Sequence, residues 1–204
     1  MTFSIESAER LPADFYCRKT ADVARALIGK TIVHRTAGTI TGGIVVETEA
    51  YLHRNDPASH SARGRTASNE SMFLRPGTLY VYPIHAKYCL NAVTEEAGTG
   101  AAVLIRAIEP TIGIETMCGR RGQSDLRRLT TGPAMLCQAL SIDRSDDGRC
   151  LVGDSDLGIF LNTADDHRRR IVATKRIGIS KAQHRNLRFV DMNSRFLSRP
   201  VPKR

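Results

Sequence analysis

Residues 43–51 carry the first arrangement capable of chemistry. Side chains alternate along an extended strand, so Glu47, Glu49 and Tyr51 share one face if the strand runs unbroken, with Ile44, Val46 and Thr48 on the other. Two carboxylates beside a tyrosine suit general acid–base work. The plain alternative is a solvated strand face, but Val45 falls in the carboxylate row and favours a pocket. Arg106 lies inside the apolar run 101–108. An arginine there needs an anionic partner. Glu49 is the candidate, in an active site or in a lone structural ion pair. His60 follows in the basic stretch Ser59-His60-Ser61-Ala62-Arg63-Gly64-Arg65, where Arg63 and Arg65 are phosphate-binding candidates. Aromatics make up only 5% of the chain and Trp is absent, yet Tyr80, Tyr82 and Tyr88 cluster. Such a stripe packs a core or stacks on a flat base, the latter worth roughly 1–3 kcal/mol per base.

The charge balance narrows the partner. Thirty Lys and Arg against 21 Asp and Glu give a formal net charge of +9, and a basic domain of this kind meets nucleic acid more often than any other partner. The 204 residues suit one domain spanning the chain, with a lead-in segment over 1–19 and a basic tail over 199–204. No apolar run is long enough for a membrane helix and residues 1–6 do not read as a signal peptide, so a cytoplasmic protein without membrane partners is expected. The five cysteines are scattered, without Cys-x-x-Cys or zinc spacing, which implies reduced thiols, buried at Cys89 and Cys137. Walker, dinucleotide, zinc-deaminase and Gly-x-Ser-x-Gly patterns are absent, and no metal or other cofactor is implied.

These residues need elements to hold them. Thr20 is placed to cap a helix over 21–27 that Gly29 closes. Strands are expected at 31–34, 39–51, 78–82, 87–93, 102–108, 158–161, 171–174 and 187–190, the fifth ending before Pro110. Helices are expected at 112–118 and 134–140, the second opened by Gly132-Pro133, and a polar loop at 52–71. Strands cluster into hairpins, so the fold class is α+β: a mostly antiparallel curved sheet, helices packed around it, and a protruding hairpin at 78–93. Three functions remain open at this point. A hydrolase acting on bases in DNA would depend on a glutamate, a non-catalytic nucleic-acid-binding module would not, and a nucleoside or nucleotide hydrolase would ignore duplex context.

Several ordered blocks resemble the alkyladenine (3-methyladenine) DNA glycosylase family of the non-helix-hairpin-helix type. They are Ile44-Val45-Val46-Glu47-Thr48-Glu49-Ala50-Tyr51, Asp56-Pro57-Ala58-Ser59-His60-Ser61, residues 72–82, 104–110 and 131–140, and Arg176-Ile177-Gly178-Ile179. The resemblance spans roughly residues 11–198 and implies a monofunctional enzyme. It would flip a damaged purine from double-stranded DNA and hydrolyse the N-glycosidic bond with an activated water, using neither metal nor lysine Schiff base. Nothing in the sequence asks for more than a monomer. Glu49 matches the general base, so Glu47 is expected to matter less. Arg106 matches the arginine that positions water and nucleotide. Tyr51, His60 and Tyr82 match the residues that hold the base, and Ala58 belongs to the same pocket. Asn91 matches the asparagine that crowds the amino group of normal guanine, and Ile177 a backbone carbonyl near the water.

The chain departs from the family pattern at Val190-Asp191, after Phe189, and at the hairpin tip. There His85 matches the residue that intercalates into the minor groove, usually Tyr. Imidazole is flat enough to stack but smaller than phenol, and with a reference pKa of about 6.5 it gains charge as pH falls toward 6. His85→Ala is therefore expected to weaken base extrusion and His85→Tyr to preserve or strengthen it. A fluorescent base analogue beside the lesion reads this, and equal flipping amplitudes in all three proteins would remove His85 as the wedge.

Overall fold

The strands assemble around one long spine. The computed structural model describes residues 8–84, 87–153, 155–162 and 169–201. Among the described residues eight strands form one sheet: β1 (Thr31–Thr36), β2 (Thr39–Tyr51), β3 (Leu79–Ile84), β4 (Lys87–Val93), β5 (Ala102–Ile112), β6 (Leu157–Phe160), β7 (Ile171–Thr174) and β8 (Arg188–Asp191). The order is β3-β4-β5-β2-β1-β6, with β8 joining β2 and β7 joining β8. All pairs are antiparallel. The sheet curls into a half-barrel, and the fold is α+β as expected. Four α-helices pack around it among the described residues: α1 (Ala13–Tyr16), α2 (Thr20–Leu27), α3 (Ile114–Arg121) and α4 (Pro133–Leu140).

Strand β2 has β5 along one side. On its other side it pairs first with β1 and then, through residues 47–49, with β8. Register shifts between Val45 and Glu47 and between Glu47 and Thr48 break the alternation that the sequence implies. Val45 consequently joins the main core with Val23, Ala24 and Leu27 of α2 rather than the carboxylate row. Thr48 also faces that helix, its hydroxyl donating to the Ala24 carbonyl at 2.8 Å. A bulge re-aims side chains in this way, and such features gather next to active sites. The apolar spacing 23, 24, 27 turns one stripe of α2 inward. Leu136, Cys137, Ala139 and Leu140 of α4 close the same cluster, which also contains Leu90, Ile105 and Ile108.

Other boundaries move for identifiable reasons. Strand β5 continues through Pro110 to Ile112, because Pro110 sits opposite Gly43 where the β2 register shifts and no ladder donor is required. Helix α3 is displaced accordingly, from the expected 112–118 to Ile114–Arg121. Thr20 is the first residue inside α2, not its cap. Its backbone N–H and hydroxyl both donate to the Glu95 side chain, which caps the helix from outside. The lead-in segment is structured: Leu11 and Tyr16 are buried, and Leu11 N–H donates to the Ile159 carbonyl at 2.8 Å. The polar loop 52–71 contains 3-10 turns at His60–Arg63 and Glu70–Phe73. Cys89 and Cys137 are buried thiols.

The outer edge of β3 is closed. Leu79 exchanges bonds with the chain at Gly148 and Arg149, at 2.9 and 2.7 Å. Val81 N–H donates to Asp147 Oδ1 at 2.8 Å, and Arg144 donates to the Val81 carbonyl at 2.5 Å. Beyond Tyr82, Pro83 and Ile84 pair only with Tyr88 and Lys87, so this end of the hairpin projects from the sheet. The tip, His85 and Ala86, lies outside the described residues.

Close strand approach depends on Gly42 and Gly43. A Cβ on Gly43 would lie 2.1 Å from the Glu109 carbonyl oxygen. Gly119 in α3 has open space where its Cβ would be. Gly43→Ala is expected to destabilise the protein by about 1–3 kcal/mol through overpacking against backbone. Gly119→Ala should stabilise by about 0.4–1 kcal/mol by restricting the unfolded chain. Urea denaturation of the two variants measures both signs.

Candidate active site

A cleft of about 780 Å³ is lined by residues of β2, β3, β4 and β5 together with the 57–63 and 177–181 segments. Tyr51, Ala58, His60, Tyr82, Asn91, Arg106 and Ile177 all line it, so the structure gathers these expected site residues in one place. Each comes from a different constraint. Alternation along β3 puts Tyr80 and Tyr82 on one face, their rings stacked at 5.5 Å between centroids. His60, on the 3-10 turn, meets Tyr82 edge-on at 4.6 Å, and its Nδ1 lies 2.7 Å from the Tyr80 hydroxyl. Asn91 of β4 donates its amide to the Tyr80 carbonyl at 3.0 Å, which fixes its orientation. Tyr88 does not join; it packs against the main core.

Behind the cleft are two fully buried carboxylates, and they differ. Glu47 accepts from Arg106 Nε at 3.2 Å, Arg188 Nε at 2.8 Å, and the Ser198 N–H and hydroxyl at 2.6 and 2.7 Å. Three of these donors converge on Oε1 and one, the Ser198 N–H, reaches Oε2. Glu49 accepts from the Ile177 N–H on Oε1 at 2.7 Å, and on Oε2 from the Tyr51 hydroxyl at 2.9 Å and Arg106 Nη1 at 3.2 Å. Among the described residues, Oε1 of Glu49 thus retains acceptor capacity. Arg106 bridges both glutamates, where the sequence suggested only Glu49, and Arg188 brings the local charge to balance.

Burial raises the Glu49 pKa above the ordinary value of about 4.5, and Arg106, the Ile177 N–H and Tyr51 oppose that shift without cancelling it. Burial likewise holds the Tyr51, Tyr80 and Tyr82 phenols protonated, well above their usual range.

A buried ion pair sets the rim. Arg176 donates to both oxygens of Asp56, at 2.7 and 2.6 Å, and to the Ala50 carbonyl at 2.9 Å. Burial works against ionisation of Asp56, but the Arg176 hydrogen bonds and charge together with the Leu52 and Ala58 N–H groups outweigh it and hold the pKa low. The pair ties the 52–60 loop, which carries Ala58 and His60, to Ile177 and the end of β2. The Arg176 guanidinium also covers one face of Tyr51 at 4.7 Å, so one face of that ring is already occupied. Asp56 and Arg176 lie in quoted sequence blocks, but 120 residues separate them and no local pattern announces the pairing.

Arg63 lines the cleft, whereas Arg65 does not. Arg65 pairs with Glu70 on the surface, so its fork is already engaged and the structure does not support it as a phosphate ligand of the cleft. At the family departure, Val190 is buried and Asp191 pairs with Arg169 at 3.1 Å, so the substitution is packed and neutralised. Among the described residues no group of three or more His, Cys, Asp or Glu is placed to hold a metal ion, and no helix is long and apolar enough to cross a membrane.

The sequence that builds this cleft has relatives among known proteins. The sequence profile described as "Methylpurine-DNA glycosylase (MPG)" matches residues 14–195. A protein of Rhodopirellula baltica named "Putative 3-methyladenine DNA glycosylase" is 48% identical over 197 residues, covering 94% of this chain and 84% of its own length. Proteins with the same name are each 45% identical in Methanoculleus marisnigri, over 93% of this chain and 98% of their own, and in Francisella tularensis subsp. tularensis, over 89% and 94%. The chain belongs to the methylpurine-DNA glycosylase family.

Burial and the Arg63 charge lower the His60 pKa below its ordinary 6.5 even though solvent reaches the ring from the cleft. His60 is therefore neutral at pH 7. Because its folded pKa is depressed, acidification through the unfolded value of about 6.5 removes stability that is present above it. Titration of the His60 ring by NMR is expected to show a midpoint below 6.5, and a midpoint above it would contradict the neutral assignment.

Proposed function

We propose that this chain is a base-excision repair DNA glycosylase that removes alkylated or deaminated purines from duplex DNA and leaves an abasic site. The observation that carries this reading is the setting of the two buried glutamates: Glu47 is held by Arg106, Arg188 and Ser198, whereas all three donors to Glu49, from Tyr51, Arg106 and Ile177, belong to residues that line the cleft, and its Oε1 accepts a single bond. Family membership supports the substrate class.

The damaged nucleotide rotates out of the duplex, a step costing a few kcal/mol. The base enters between Tyr51, His60 and Tyr82. A cationic alkylated purine gains about 0.5–2 kcal/mol from aromatic faces. Since Arg176 already occupies one face of Tyr51, that ring offers only its other face. Asn91, held by the Tyr80 carbonyl, is fixed against the base edge and disfavours the amino group of an undamaged guanine. Ionised Glu49 takes a proton from water as its oxygen bonds to C1′ of the sugar. The C1′–N bond breaks and its electron pair leaves with the purine. Arg106 steadies the carboxylate and faces the nucleotide. The scheme uses no metal and no lysine adduct, so no strand cleavage accompanies base release. One chain carries all these groups, and a monomer suffices.

A non-catalytic nucleic-acid-binding module would use the same tyrosines and cations but would have no use for Glu49. Glu49→Gln is expected to retain binding to lesion-bearing duplex and to lose about 10²–10⁴-fold in single-turnover base release. Base release by the parent should fall as pH drops through the Glu49 pKa, giving an acid limb above 4.5. Near-normal cleavage by the variant would overturn the assignment.

A further inference from the structure

The cleft has cations that this mechanism does not use. Arg63, Lys181 and Arg199 line it, and among the described residues none of their side chains has a carboxylate or hydrogen-bond partner. Arg199 arrives from the far end of the chain, beyond β8. Terminal segments fray unless they are tied down, and this one is tied at three places. Phe196 is buried with Val46 and Ala107. The Ser198 N–H and hydroxyl donate to Glu47 at 2.6 and 2.7 Å, and Arg188 Nη2 donates to the Arg199 carbonyl at 2.6 Å. Half of the donors on a fully buried carboxylate are thus spent on one residue of the tail. The effect is to fix the backbone immediately beside an exposed arginine at the cleft.

We propose that residues 196–199 form a strap that presents Arg199 as a ligand for a DNA phosphodiester at the cleft, with Glu47 and Arg188 as its positioning residues. Arginine's planar fork suits a phosphodiester, which offers oxygens for two parallel hydrogen bonds. The glycosylase reading supplies the identity of the polyanion; the strap itself rests on the contacts above. Glu47, which holds Arg106 with one oxygen and Ser198 with both, joins the catalytic strand to the bound backbone.

Binding of the full chain to undamaged and lesion-bearing duplex across salt concentrations tests this. Each neutralised phosphate contributes about 0.9 to the slope of log affinity against log salt on duplex DNA. Arg199→Gln is expected to shallow the slope by about 0.9, and Arg199→Lys to keep most of it. Arg18→Gln removes the same charge from a residue outside the cleft and should leave the slope unchanged. Ser198→Pro deletes the N–H held by Glu47. It should reproduce the Arg199→Gln loss, and the double variant should lose no more than either single one. An unaltered slope in Arg199→Gln, an equal drop in Arg18→Gln, or additive losses in the double variant would overturn the strap. A parent that binds with a steep slope but releases no base would instead overturn the glycosylase reading and leave the strap standing.

Discussion

Burying two carboxylates on one strand is the constraint around which this protein is arranged. Glu47 and Glu49 are fully buried, and neither is tolerable without partners, because breaking a buried pair costs about 3–5 kcal/mol. Arg106 must therefore come from β5 on one side and Arg188 from β8 on the other. This requirement explains why β2 exchanges β1 for β8 at residues 47–49, and why the end of the chain returns to the middle of the sheet. The bulge at Val45–Glu47 serves the same end by sending Val45 to the core and leaving the carboxylates on the side of Arg106 and Arg188.

Around that centre, one set of contacts performs two tasks. The Arg176–Asp56 pair is structural by its burial, yet it sets the distance between the loop bearing His60 and the backbone N–H of Ile177 that reaches Glu49. Stacked tyrosines on β3 belong to a small apolar cluster with Met72 and Val93, so the aromatic lining of the cleft is itself part of a packed core. Rigid rings of this kind lose little freedom when a flat ligand arrives between them.

Much of this was legible in the residues themselves. Apolar runs and turn signals mark β2, β4 and β7 within a residue or so, and a charged residue inside an apolar run points to Arg106 as a buried partner. The same signal exists at Arg188, between Leu187 and Phe189, and would have identified the fourth member of the charge cluster. What stays hidden is long-range. Asp56 and Arg176, or Glu47 and Ser198, meet only because the sheet curls, and no periodicity encodes a contact across more than a hundred residues. Short elements escape for a different reason: α1 has four residues, too few to show a helical stripe. Pro110 misleads because its usual prohibition lapses at a register shift.

The closure of the β3 edge carries a consequence for life in a crowded cell. A sheet that lines a cleft with Tyr80 and Tyr82 at its edge leaves its outermost strand near solvent, and an open strand edge is a template on which a second chain can add itself. Here the outward groups of Leu79 and Val81 are already taken by the 144–149 segment. Pro83, the next outward position, has no N–H to offer. The aromatic surface is thereby separated from the backbone that carries it. The protein lines an open cleft with aromatic rings while denying self-templated aggregation the ladder on which it would grow.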